Sequence, residues 1–259
     1  MNIVLRAAVT AFAAISSFAA AKAEVVHTIW EIAPPKGVAE VTATKGKTFL
    51  EQRLIPIRLV RTTDAALDGQ VPAGTPLYLV YNDAEQIGFC TVIDRSPGKA
   101  AKGLFMALGN KRPCFTDRDN DGKFDATFQV FDLLTSPPKV GGSISDAQAM
   151  SSEVGFEEID PHLYPENMLM LFKHSGTTAK HVQVNISFEN AGSKVYWQPY
   201  GSQQIDGKWA VFVLNSLLWI KEINENTASF ELQTDPTVYI QRTRQGIDMI
   251  EMPAFLRRK

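Results

Sequence analysis

Residues 181–188 alternate strictly between polar and apolar side chains, and this alternation limits the fold more than any other feature of the sequence. The apolar members are Val182, Val184, Ile186 and Phe188. Successive side chains of a strand point to opposite faces, so the pattern predicts an antiparallel sheet with one buried and one wet face. Further strand-like segments follow at short spacing, which is typical of sandwiches and barrels. We therefore expect a mainly β fold: an antiparallel sandwich or barrel-like sheets with one or two short helices.

Most of the remaining chain also favours strands. Residues 49–61 are apolar and extended but contain Pro56, which cannot donate to a ladder, so this strand should lie at an edge or be bulged there. Ser145 and Gln148 resemble a capping box and predict a short helix. Residues 165–173 fit either a helix or a buried strand. The other predicted strands cover residues 25–32, 38–44, 77–81, 87–93, 194–199, 209–214, 217–223, 228–233 and 238–242.

The first residues have the composition of a secretory signal peptide. Arg6 supplies a positive charge, residues 7–21 are almost wholly apolar, and Ala21-Lys22-Ala23 matches the small-x-small cleavage rule. Cleavage would leave Glu24 as the first residue. No second apolar stretch is long enough to span a bilayer, so we expect no transmembrane segment after cleavage and a periplasmic or secreted protein.

The sequence suggests two domains after the signal peptide. The segment 136–144 is rich in Pro, Gly and Ser, the residues that punctuate structure. We therefore predict a cleaved signal peptide (1–23), a β domain (24–135), a linker (136–144) and a second mainly β domain (145–259).

The chain contains only two cysteines, Cys90 and Cys114. In an oxidising compartment such a pair predicts a disulfide. The bond would fall in the first predicted domain.

Four carboxylates lie close together in the sequence, at Asp117, Asp119, Asp121 and Asp125. They would repel one another without a cation, and hard cations such as calcium prefer oxygen ligands. Gly122 can adopt the positive φ that a sharp turn needs. The spacing predicts a calcium site whose ligands are these four side chains and the backbone carbonyl of Lys123.

This stretch resembles the Asp-x-Asp-x-Asp-Gly calcium loop of EF-hands, dockerins and integrin-type propeller repeats, over residues 117–125 only. It departs from the EF-hand at the twelfth position, where Phe128 replaces the bidentate Glu. Phe124 and Ala126 begin a period-two pattern that predicts a strand after the loop instead of a helix. The resemblance implies modest calcium affinity, suited to a calcium-rich exterior.

Catalytic motifs are missing from the sequence: it has no Gly-x-Ser-x-Gly, His-Glu-x-x-His or phosphate-binding glycine loop. The formal net charge of −2 gives no indication of a nucleic-acid partner. Tyr196, Trp197 and Tyr200 could form a weak ligand-binding platform, although aromatic residues in strands more often belong to a core.

Two functions remain open from the sequence. The first is an exported, calcium-stabilised, non-catalytic binding or structural module. The alternative is a calcium-stabilised envelope or secreted hydrolase whose catalytic carboxylates have no recognisable spacing, because such pairs are defined by distance in space.

Overall fold

Nineteen strands account for most of the described chain. The computed structural model describes residues 24–35, 40–92, 110–133, 139–164, 168–178, 181–190, 193–194, 198–243 and 246–257. The predicted signal peptide lies outside these residues. The strands are β1 (Val26–Ile32), β2 (Glu40–Thr44), β3 (Thr48–Pro56), β4 (Leu59–Thr62), β5 (Pro76–Asn82), β6 (Ile87–Thr91), β7 (Asn110–Thr116), β8 (Lys123–Leu133), β9 (Lys139–Gly141), β10 (Gln148–Ile159), β11 (Met168–Thr178), β12 (His181–Asn190), β13 (Ser193–Lys194), β14 (Gln198–Ile205), β15 (Lys208–Val213), β16 (Ser216–Ile223), β17 (Thr227–Thr234), β18 (Tyr239–Arg242) and β19 (Ile247–Ile250).

Six of these strands close an antiparallel barrel in the order β4-β5-β6-β7-β8-β10, with β10 pairing back to β4. The prediction of a mainly β fold is therefore confirmed. Of the two predicted architectures the structure has a barrel, and further strands lie outside it. All six strands supply buried side chains to one cluster in the barrel interior, namely Val60, Leu79, Phe89, Phe115, Phe124 and Val154.

Aromatic rings fill the middle of this barrel. The Phe124 ring stacks on Phe156 with centroids 4.2 Å apart, and it also stacks on Phe115 with centroids 5.3 Å apart. Phe89 packs against both Phe124 and Phe156 at 5.8 Å. Large aromatic side chains bury much apolar area each, so these four rings contribute strongly to the cluster that they share with the aliphatic side chains of the barrel.

The second large sheet follows the order β2-β17-β16-β15-β14-β12-β11-β3. Its two outermost strands, β2 and β3, are consecutive in the chain and joined by a tight turn, in which Lys47 N donates to Thr44 O at 3.0 Å. The sheet therefore curls around on itself. The alternating residues of β12 behave as predicted: Val182, Val184, Ile186 and Phe188 are fully buried and belong to the larger hydrophobic cluster.

Strand β1 links the two sheets. On one edge it pairs with β5 of the barrel and with β3 of the curled sheet, and on the other edge it pairs with β18. Its Trp30 is fully buried and contacts Tyr78 and Tyr164, with ring centroids 5.7 and 5.1 Å away. The division into two domains at 136–144 stays a prediction. Strands from both sides of that segment pair with each other, and both sides contribute to one hydrophobic cluster.

Two local predictions differ from the structure. The capping-box helix at Ser145 is wrong: these residues form a turn, and β10 begins at Gln148. Within residues 165–173, the part from Met168 onward is strand β11 rather than helix. The described helical segments are short 3-10 turns at Pro161–Leu163 and Ala254–Leu256. The long predicted strand 49–61 divides after Pro56, where β3 ends.

Candidate metal site

The predicted calcium loop connects β7 to β8 at one end of the barrel. The two strands pair in register up to Thr116 and Ala126, so the loop closes a hairpin. Phe124, Ala126 and Phe128 are buried, which fixes the first residues of β8 against the core. The predicted passage from loop to strand, without a helix, is confirmed.

Three carboxylates of this loop come together. Asp117, Asp119 and Asp121 each place one oxygen within 4.8 Å of the others. Asp117 is half-buried, whereas Asp119 and Asp121 are exposed. The group is close enough to hold one metal ion.

The backbone of the loop folds around Asp117. Its Oδ1 accepts a hydrogen bond from Asp121 N at 3.2 Å, and its Oδ2 accepts one from Gly122 N at 2.9 Å. Gly122 has φ 88° and Asn120 has φ 60°. Both lie in the left-handed region, which Gly adopts without strain and Asn tolerates. The predicted role of Gly122 in the turn is therefore confirmed.

The two other predicted ligands are the Asp125 side chain and the carbonyl of Lys123, and both residues form hydrogen bonds within the loop. Asp125 lies outside the group of three, and its Oδ1 accepts a hydrogen bond from Arg118 N at 3.0 Å. The backbone N of Lys123 donates to Asp121 Oδ1 at 2.8 Å. The participation of Asp125 and of the Lys123 carbonyl as ligands stays a prediction.

Asp117 has a raised carboxyl pKa, and burial is the main cause. Burial raises the pKa of its carboxyl above the ordinary 3.8, and the Asp121 carboxylate acts in the same direction. Backbone hydrogen bonds, the largest from Gly122, work against this rise in pKa. A bound cation would favour the ionised form of Asp117, because an opposite charge nearby lowers a carboxyl pKa.

The ammonium group of Lys123 lies beside the three carboxylates and forms an ion pair with Glu153, which the sequence did not predict. Lys123 Nζ is 2.9 Å from Glu153 Oε2 on β10 and 3.9 Å from Asp121 Oδ2. Glu153 is thirty residues from Lys123 in the chain. Only the pairing of β8 with β10, in which Lys123 faces Gly155, brings the two together. No local sequence pattern could have identified Glu153.

The predicted disulfide is confirmed. Cys90 on β6 and Cys114 on β7 are paired residues of the barrel, with Cα atoms 4.1 Å apart and their sulfurs bonded. Both are fully buried. Cys114 lies three residues before Asp117, so the bond fixes the strand that leads into the carboxylate loop.

Of the three residues of the predicted aromatic platform, the structure describes Tyr200. Tyr200 lies on β14 opposite Val184, where it is half-buried and packs against the larger hydrophobic cluster. Tyr196 and Trp197 lie outside the described residues. The platform stays a prediction.

Comparison of the chain with models of protein families, with curated proteins and with solved structures gave no match in any of the three. Among the described residues, no helix is both long and apolar enough to cross a membrane.

Proposed function

We propose that this protein is an exported, calcium-stabilised β protein that acts as a non-catalytic binding or structural module. The single observation that carries the calcium assignment is the convergence of Asp117, Asp119 and Asp121. Three carboxylates on one turn create a local negative charge that a divalent cation neutralises.

The ligand chemistry of the loop favours calcium over magnesium. Calcium binds six to eight oxygens at about 2.3–2.6 Å in a flexible geometry, whereas magnesium demands a near-ideal octahedron at about 2.0–2.1 Å and loses its waters reluctantly. The carboxylate oxygens lie within 4.8 Å of one another, a separation that suits the coordination sphere of calcium. We therefore expect the loop to bind calcium and to bind magnesium more weakly.

Further oxygens are needed to complete the coordination of calcium, which takes six to eight. We assign one to the carbonyl of Lys123 and one to Asp125, directly or through water. Waters would supply the rest. Without a bidentate Glu at the twelfth position, affinity is modest, and an extracellular or periplasmic calcium concentration suits such a site.

Export is supported by two independent features. The first is the signal-like N-terminal sequence. The second is the Cys90–Cys114 bond, because disulfides persist in oxidising compartments. We accordingly propose a periplasmic or secreted location.

A stabilising role for calcium follows from the position of the loop. The site joins two barrel strands and lies next to the disulfide, so a bound ion and the covalent bond restrain the same hairpin. A ligand that binds only the folded state stabilises it by mass action.

Isothermal titration of the exported, chelator-treated protein with calcium tests the assignment. We expect saturable binding of one ion and weaker binding of magnesium. Asp121→Ala should abolish the calcium isotherm. Asp248→Asn, which alters an exposed carboxylate on β19, serves as the control and should leave it unchanged. Absence of binding in the wild-type protein would refute the calcium assignment.

A further inference from the structure

Glu24 lies at the beginning of the described fold, two residues before β1, and its carboxylate is held by four hydrogen-bond donors. Oε1 accepts from Ile144 N at 2.8 Å and from Asn82 Nδ2 at 2.8 Å. Oε2 accepts from Ser145 N at 3.2 Å and from the hydroxyl of Ser143. Each oxygen thus receives two hydrogen bonds, which is the full accepting capacity of a carboxylate.

These donors are held in place by contacts of their own. Asn82 is 2% exposed, and its Oδ1 accepts from Ala84 N and Gln86 N, which fixes the turn between β5 and β6. The Ser143 hydroxyl also accepts from Asp146 N at 3.2 Å. Because the donors are already oriented, the site requires little reorganisation to receive a carboxylate.

The chemistry of the donor set identifies the class of ligand. Two backbone N–H groups, one amide and one hydroxyl surround the carboxylate, and none of these donors carries a formal charge. Successive backbone N–H groups in a turn form a concave anion-binding nest. Four donors in two pairs match the two oxygens of a planar carboxylate.

We propose that Asn82 and the turn formed by Ser143, Ile144 and Ser145 are a carboxylate-binding site that Glu24 fills in cis. The site anchors the N-terminal end of β1 to the barrel. It also joins that end to the segment between β9 and β10, which lies more than a hundred residues away in the chain.

The pKa of Glu24 agrees with this geometry. Burial acts to raise it, but the hydrogen bonds from Ser143, Asn82, Ile144 and Ser145 outweigh burial, so the pKa is lowered. The bound form of Glu24 is therefore the carboxylate anion.

The site also restricts where the signal peptide can be cleaved if Glu24 is to remain in the exported protein. Cleavage after Ala23, as the sequence predicts, would retain Glu24, whereas removal of one more residue would empty the site. The anchor residue and the predicted first residue of the exported chain therefore coincide.

Chemical rescue tests the proposal directly. The exported protein carrying Glu24→Ala should melt about 3 °C below the wild type, because the donors lose their acceptor. Sodium acetate at about 100 mM should restore part of that loss, since a ligand of the folded state raises Tm by mass action. Sodium chloride at equal ionic strength corrects for general salt effects, and mass spectrometry of the product verifies where the leader was removed.

Two further variants separate site-specific rescue from other effects of acetate. Glu24→Gln retains the shape but fills the site with a neutral amide, so acetate should not rescue it. Glu24→Ala combined with Ser143→Ala lacks one donor and should show reduced rescue. The proposal is overturned if Glu24→Ala melts like the wild type, or if acetate raises the Tm of Glu24→Ala no more than that of the wild type or of Glu24→Gln.

Discussion

The ammonium group of Lys123 lies between two carboxylates, 2.9 Å from Glu153 and 3.9 Å from Asp121. Lys123 therefore places a positive charge at the edge of the carboxylate group, and Glu153 draws that charge toward β10. Both side chains of the Lys123–Glu153 pair are about half exposed. The pair consequently modulates the local charge at the loop more than it stabilises the fold.

We predict that Lys123→Gln increases calcium affinity about two- to fivefold, because it removes a competing cation and because exposed ion pairs have effects of that order. Glu153→Gln should weaken affinity by a similar factor, since the ammonium group is then free to approach Asp121. Isothermal titration at low ionic strength measures both. Lys221→Gln is a matched control: Lys221 pairs with Glu231 at 2.6 Å on the curled sheet and is equally exposed. Weaker calcium binding by Lys123→Gln would contradict this prediction.

We predict that replacing both Cys90 and Cys114 with serine destabilises the protein by about 3.5 kcal/mol on the chain-entropy model. The bond closes a loop with a sequence separation of 24. Urea unfolding of wild-type and double-variant protein measures the difference in free energy of unfolding. An unchanged urea midpoint would show that the bond does not stabilise this barrel.

The buried His174 makes stability depend on pH. It is fully buried on β11, where Gly46 N donates to its carbonyl oxygen at 2.7 Å. Burial lowers the pKa of its imidazole below the ordinary 6.5, with a smaller contribution in the same direction from Lys45. The unfolded chain therefore takes up this proton at higher pH than the folded protein does. Stability from this group is complete above about pH 6.5 and falls as pH is lowered from there toward the folded-state pKa.

We predict that His174→Gln flattens the loss of stability between about pH 7 and pH 5. Urea midpoints across this range measure the slope for variant and wild type. His162→Gln, which alters an exposed histidine, should retain the wild-type slope. If both variants keep the same slope as the wild type, His174 is not the origin of the acid sensitivity.

We predict that Gly88→Ala destabilises the barrel by about 1–3 kcal/mol, the cost typical of overpacking. A Cβ at this position would lie 2.7 and 2.8 Å from two ring carbons of the buried Phe128. Gly201→Ala on β14 is the control, because its Cβ would meet no atom of the described residues within 4 Å. Equal thermal stability of the two variants would rule out the close packing of Phe128 on Gly88.

The sequence was sufficient to predict features that depend on neighbouring residues. The alternation of residues 181–188 predicted β12, and the spacing of Asp117, Asp119 and Asp121 predicted that their side chains converge. The strand after the loop followed from Phe124, Ala126 and Phe128. The choice between a sandwich and a closed barrel could not be made from the sequence, because alternation identifies strands and their faces but leaves the pairing of β4 with β10 undetermined.

Long-range contacts explain the local predictions that did not hold. Ser145 and Gln148 have helix-capping spacing, but the N–H groups of Ile144 and Ser145 donate to Glu24, a residue distant in sequence. That tertiary contact fixes a turn where local propensity favoured a helix. The proximity of Lys123 to Glu153 likewise depends on the register of β8 and β10, and no pattern within either strand determines it.

The most direct test of the central claim is the melting temperature of the exported wild-type protein in calcium and in chelator. At free calcium of about 100 times the dissociation constant, binding stabilises the fold by about 2.7 kcal/mol, which corresponds to about 5–10 °C in Tm for a chain of this size. We expect that difference in the wild type, a smaller one with magnesium, and none in Asp121→Ala. Identical melting temperatures of the wild type in calcium and in chelator would contradict the account, since Asp117, Asp119 and Asp121 would then form a polar turn without a stabilising ion.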